Sequence, residues 1–123
     1  NAVLSYQEIL RFQKIVDTIS VPIETAHYSA DIVRATRPER DGSLAWTGEM
    51  LDWGAGPRAG QSLIRAAKAL AAMDGRPAIS YGDIKEIAIP VLRHRILCNY
   101  RAKAQGVTED SVINRILEEI PTP

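Results

Sequence analysis

The chain has 123 residues, enough for one hydrophobic core, and its 46% hydrophobic and 24% charged composition is that of a globular protein rather than a disordered tail. Its formal net charge is zero, so no global field draws it to nucleic acid or to an anionic membrane. Charge is uneven, however: residues 57–103 carry nine basic side chains against three acids, and both flanks are net negative.

Cys98 is the only cysteine, which excludes an internal disulfide and suits a reducing cytosol, so a cytoplasmic location is expected. The sequence carries no signal peptide, no lipidation motif and no apolar run near membrane-spanning length. It begins with Asn1 rather than methionine, which suggests a piece cut from something longer or a chain from which a tag was removed.

Leu4-Ser5-Tyr6-Gln7-Glu8-Ile9 reads as a complete helix start, with Ser5 as cap, Glu8 closing the capping box, and Leu4 stapled to Ile9. Ile9, Phe12, Val16 and Ile19 follow at helical spacing, which predicts one buried face. A second helix is predicted from Ile23 to Arg37, with Tyr28, Ile32 and Ala35 inward and Pro38 ending it. His27 lies on this helix without any accompanying nucleophile or acid motif, so it reads as solvent-facing or hydrogen-bonded.

Residues 38–56 form a long connection rich in glycine, a kind of segment that tends to carry function. Trp46 and Trp53 are expected to anchor it on the core, with Leu44 in a short strand or turn. A third helix follows from Pro57 to Asp74, stopped by Gly75, with Ala59, Leu63, Ala67 and Leu70 as its stripe and Ile64, Ala66 and Ala71 widening it. Its alanines imply close approach of neighbouring helices. Ser80 and Asp83 cap a fourth helix, which Pro90 should kink or split. Alternation at Ile96, Cys98 and Tyr100 allows a short strand pairing with Ala78-Ile79. After Gly106, Thr108 caps a last helix with Val112, Ile113, Ile116, Leu117 and Ile120 inward. The expected class is therefore mainly all-α, a small bundle of about five helices with a minor two-stranded β element.

The stretch with most chemical content is Gly54-Ala55-Gly56-Pro57-Arg58-Ala59-Gly60. Pro57 suits the first helical position, the glycines let another group approach the backbone, and Arg58 stands beside the positive end of the helix dipole. That combination can seat an anion, above all a phosphate. The same residues also read as a plain turn that starts a helix and leaves Arg58 in water.

No catalytic constellation accompanies it. The sequence has no phosphate loop, no H-E-x-x-H, no G-x-S-x-G and no Cys/His cluster with metal-ligand spacing. The adjacent pairs Glu109-Asp110 and Glu118-Glu119 read as solvated surface, His94 as a polar-face residue, and Cys98 as a small core residue. One arginine at a helix start can hold a phosphate but cannot transfer one, because transfer needs further phosphate ligands, a metal site and a positioned water. Two other readings stay open: a helical nucleic-acid-binding module using Arg93, Arg95, Arg101 and Lys103, and a protein-interaction domain in which Arg58 pairs with a carboxylate.

The segment from Gly54 through Pro57-Arg58 to Leu63-Ile64-Arg65-Ala66-Ala67-Lys68-Ala69-Leu70-Ala71 resembles the region around the sensor-2 arginine of MoxR-family AAA+ ATPases. The likeness continues through Ile84-Lys85, Pro90 to Ile96, Asn99-Tyr100 and Gln105-Gly106-Val107-Thr108, and upstream through Ile32 to Arg37. It covers nearly the whole chain in the family's order. The family more often has serine where Gly56 stands, a departure that leaves the proline and arginine in place. The resemblance implies that residues 1–123 are a single C-terminal helical lid folding over ATP, with magnesium, held by a separate α/β core. It implies that Arg58 is the sensor-2 arginine reaching the γ-phosphate, with Gly54, Gly56 and Pro57 lining the nucleotide side and no metal ligand in the lid. Further implications are ATP-driven rings that mature or insert cofactors and metals into other proteins, and partners among the protein's own core, adjacent subunits and von Willebrand factor A domain proteins. The lid alone would not hydrolyse ATP, bind nucleic acid or enter a membrane.

Overall fold

The computed structural model describes residues 1–38 and 41–123; Glu39 and Arg40, within the connection expected over 38–56, lie outside the described residues. The elements run α1 (Tyr6–Asp17), α2 (Ile23–Ala35), α3 (Thr47–Met50), β1 (Leu51–Trp53), α4 (Pro57–Met73), α5 (Tyr81–Leu92), β2 (Leu97–Cys98), α6 (Tyr100–Ala104) and α7 (Glu109–Glu119). The mainly helical class and the small two-stranded sheet are as expected. The two additional helices, α3 and α6, are four and five residues long, too short to show a 3.6-residue period in sequence.

Three helix starts use the same device. Ser5, Ser80 and Thr108 each accept the backbone N–H three residues on, while Glu8, Asp83 and Ser111 reach back to the cap's own N–H. At the other end of α4, Gly75 takes φ +70°, the left-handed turn that lets the chain leave the helix at little steric cost.

The core is built around α4 and α5, the most extensively packed pair. Ala59, Leu63, Ala67 and Ala71, all on the expected face, form the buried stripe of α4, and Leu70 is half-buried at its margin. Three alanines in that stripe let the backbones approach closely, as the sequence implied. From α5 come Ile84, Ala88 and Leu92, from α2 Tyr28, Ile32 and Ala35, and from α7 Val112, Ile113 and Ile116. Tyr28 packs edge-on against Tyr81, with ring centroids 5.4 Å apart. α5 continues through Pro90 as one helix rather than splitting there. Pro90 costs a ladder hydrogen bond, but buried Ala88 and Leu92 hold both sides of it on the core.

Asp83 ties α5 to the preceding turn. It is buried, accepts the Ser80 N–H at 2.8 Å, and takes two hydrogen bonds from Arg76 at 2.9 and 2.6 Å. The Arg76 guanidinium holds its carboxyl below the ordinary value of 3.8. A carboxyl lowered on folding contributes stability that is complete above its unfolded value and is lost as pH falls through the folded one. Urea unfolding of the wild type should therefore weaken in the acid limb, and Asp83→Asn should flatten part of that fall. Identical acid slopes for the two proteins would contradict this.

Two expectations about how these elements pack and pair require correction. The stripe on α1 is not a buried face: Ile9 and Phe12 remain 43% and 47% exposed, and of the four stripe residues only Ile19, beyond the helix, is buried. α1 leans on Arg65, Lys68 and Ala69 of α4 and leaves an open groove of about 520 Å³ between them. Amphipathic spacing reports which face is apolar, not whether this chain supplies a cover for it. The predicted strand pairing also differs. β2 pairs antiparallel with β1, placing Leu51 opposite Cys98. The Ala78-Ile79 backbone is already engaged by Ser20, which donates to Pro77 O at 2.8 Å and accepts from Ile79 N–H at 3.0 Å.

Candidate functional site

The connection is fastened before it reaches α4. Trp46 Nε1 donates to Glu119 Oε2 at 2.8 Å, and the Arg115 guanidinium lies 4.0 Å above the Trp46 ring. Trp46 thus anchors the segment on α7, as expected. Trp53 does not anchor: it is 60% exposed and lines an open depression beside Gly54 and Gly56. It stands on a three-residue strand opposite Leu97, with most of the indole open to solvent.

The last step is a clamp between the end of α2 and residues 54–56. Buried Thr36 accepts the Ala55 N–H on its Oγ1 at 2.9 Å, and Arg37 Nε donates to the Ala55 carbonyl at 2.9 Å. Gly54 is pressed so close that an added Cβ would stand 2.1 Å from the Thr36 carbonyl oxygen. The glycines thus divide in purpose. Gly54 admits the chain's own α2 backbone, a Cβ added at Gly56 would face open space, and one at Gly60 would stand at ordinary contact distance from Val33.

α4 then begins with Gly56 extended at its N-cap and Pro57 in the first turn. Among the seven helices of the described residues, α4 alone has neither a side-chain cap nor an acidic residue in its first turn. Its positive dipole end is therefore uncompensated by the fold itself. Arg58 is exposed at this end, and no hydrogen bond or ion pair to the described residues engages it. Between α2 and α4, reaching the helix start at Pro57 but not lined by Arg58 itself, runs a mainly apolar groove of about 650 Å³ whose walls include Ala30, Val33, Arg37, Gly60 and Ile64. The arrangement can receive an anion at the helix start next to an apolar surface.

The other residues singled out in the sequence are elsewhere. His27 and His94 are exposed, and Cys98 is buried, its thiol pushed up by burial. Arg93 pairs with Asp110 at 2.9 Å, and Arg95 reaches Ser62 on α4. The acidic pairs are more engaged than solvated surface. Glu109 accepts from the Cys98 N–H, Asp110 from Arg93, and Glu119 from Trp46 and Arg115, while Glu118 stays exposed. Among the described residues no three His, Cys, Asp or Glu side chains gather to hold a metal ion, and no helix is long and apolar enough to cross a membrane. The Thr36–Arg37 clamp was not foreseen. Its only trace in sequence is a polar pair between the helical stripe and Pro38, and nothing local announces a partner at Ala55.

Residues 44–116 match the family model described as the AAA lid domain, more than half of the chain. The chain belongs to the AAA lid domain family. Among curated proteins this lid domain is 33% identical over 121 residues to Chaperone MoxR1 of Mycobacterium tuberculosis, covering 98% of this chain and 32% of that one. It is 30% identical over 102 residues to Protein MoxR of Paracoccus denitrificans, covering 78% and 30%. A solved structure from Cytophaga hutchinsonii, described as a "putative ATPase", superposes with a TM-score of 0.91 at 29% identity, covering all of this chain and 37% of that one. The lid domain thus spans about a third of the length of the relatives it matches.

Proposed function

We propose that this lid domain belongs to a longer MoxR-type AAA+ ATPase and that Arg58 is its sensor-2 arginine. A separate α/β core binds ATP and holds the magnesium ion, and the lid closes over the nucleotide so that Arg58 meets the γ-phosphate. Gly54, Gly56 and Pro57 shape the nucleotide-facing side of the helix start. Hydrolysis removes that contact and lets the lid rotate against its core or the adjoining ring subunit, work that is spent on maturing other proteins or inserting metals and cofactors into them. Von Willebrand factor A domain proteins are the expected partners and the cytoplasm the expected location. The lid by itself neither turns over ATP nor binds nucleic acid.

The observation that carries this reading is the state of Arg58: an exposed guanidinium, without a partner among the described residues, at the one helix start that the fold leaves without a cap or an acid. A carboxylate partner would have favoured the interaction-domain reading. Of the four basic residues on which the nucleic-acid reading relied, Arg93 and Arg95 make contacts within the fold to Asp110 and Ser62, while Arg101 and Lys103 stay exposed.

Nucleotide affinities of the full-length protein test the assignment. Arg58→Ala should weaken binding of a non-hydrolysable ATP analogue by about tenfold, the size of one charge-assisted contact, and change ADP affinity less than about twofold. Equal losses for both nucleotides would mean that Arg58 does not read the γ-phosphate.

A further inference from the structure

We propose that Arg37 is the positioning residue for Arg58, acting through the backbone of Ala55; the functional part of this inference rests on the reading of Arg58 given above. Both polar groups of one peptide residue are held by consecutive side chains at the end of α2. Thr36 Oγ1 takes the Ala55 N–H and Arg37 Nε gives to the Ala55 carbonyl, each at 2.9 Å. Thr36 is itself tied down, since its hydroxyl donates to the Val33 carbonyl at 2.7 Å and its side chain is buried.

The need for such a clamp follows from what comes next. The first turn of α4 has no side-chain cap, and an uncapped end frays. Gly56 and Arg58 are exposed, and a Cβ at Gly56 would meet nothing within 4 Å. Inward support begins only at Ala59 and Leu63. Holding Ala55 in both directions therefore sets where the chain enters α4, and with it where the Arg58 side chain starts. Arg37 lines both the apolar groove between α2 and α4 and the polar depression beside Trp53, so it stands under the loop between these two surfaces.

Side-chain geometry separates positioning from a direct charge on phosphate. In glutamine the amide nitrogen lies as many bonds from Cα as Nε does in arginine, so Arg37→Gln keeps a donor for the Ala55 carbonyl and discards the charge. Arg37→Met discards both and keeps the apolar stem.

In the full-length protein Arg37→Met should lower kcat about tenfold and raise the KM for ATP a few-fold, the direction in which Arg58→Ala weakens the ATP analogue, and Arg37→Gln should restore kcat to within about threefold of wild type. In an Arg58→Ala background the Arg37→Met loss should shrink below about twofold, because a misplaced group that is already absent costs nothing further. Loss of kcat in Arg37→Gln as large as in Arg37→Met, or a full tenfold loss persisting without Arg58, overturns the proposal. Amide hydrogen exchange reads the clamp without reference to hydrolysis: at Ala55 it should quicken about tenfold in Arg37→Met and stay near wild type in Arg37→Gln. Unchanged exchange in Arg37→Met overturns the clamp. Faster exchange there, together with wild-type hydrolysis by Arg58→Ala, upholds the clamp and removes only the sensor reading of Arg58.

Discussion

Replacing Arg58 by alanine in the full-length protein is expected to slow ATP hydrolysis about a hundredfold while leaving the lid folded. The size comes from what is lost: one charged donor aimed at oxygen atoms whose charge changes in the transition state, typically on the order of 2–4 kcal/mol in a site from which water is excluded. Stability is spared because Arg58 is exposed and no ion pair to the described residues holds it. Surface substitutions of that kind shift folding by about 0.5 kcal/mol or less. Arg58→Lys should recover only part of the rate, since an ammonium keeps the charge but not the planar fork. Steady-state turnover, measured beside a urea titration of each variant, checks both halves. Wild-type turnover in Arg58→Ala would remove the assignment, and a large loss of stability would mean that the arginine serves the fold instead.

The second large effect concerns Gly54. An alanine there would bring a methyl carbon to 2.1 Å from the Thr36 carbonyl oxygen and 2.9 Å from Arg37 Cα, distances no side chain can occupy. Both obstacles are backbone, so no rotamer change relieves them. Either the end of α2 moves or residues 54–56 lift away, breaking both hydrogen bonds at Ala55. Overpacking of this kind costs about 1–3 kcal/mol, and two opposed backbones put Gly54→Ala near the upper figure. Gly56 supplies the contrast, because a Cβ there meets nothing within 4 Å and its φ of −81° suits any residue. Gly56→Ser places a good cap residue at the N-cap and should leave stability equal or raise it by a few tenths of a kcal/mol. Urea midpoints of the two variants decide the matter. Equal midpoints would show that the close approach at Gly54 is not a constraint.

Much of this fold could be read before any coordinates. Ser5, Ser80 and Thr108 marked helix starts because capping chemistry is local, confined to residues three apart. The alanine-rich stripe of α4 announced close packing because periodicity reports a buried face directly. What stayed hidden depended on partners distant in sequence. Ala78-Ile79 looked as suitable for β2 as Leu51 to Trp53 did, and only the fold shows that Ser20 had already taken that backbone. α1 has the amphipathic spacing of a packed helix, yet its apolar side stays open over α4. Trp53 shares its residue type with Trp46 but stands on an edge with no neighbour such as Glu119 or Arg115. At the candidate site the sequence singled out Gly54, Gly56, Pro57 and Arg58 as one stretch. It could not distinguish Gly54, which makes room for α2, from Gly56, which faces open space, nor reveal that Thr36 and Arg37 grip the residue between them.

The central claim is that Arg58 meets the last phosphate of a nucleotide presented by another domain. A structure of the full-length protein bound to magnesium and a non-hydrolysable ATP analogue tests it most directly. There the Arg58 guanidinium should stand within about 3 Å of a γ-phosphate oxygen, the distance of a charge-assisted hydrogen bond. A closed lid in which Arg58 still points to solvent or pairs with a carboxylate, while a different cation contacts that phosphate, would contradict it.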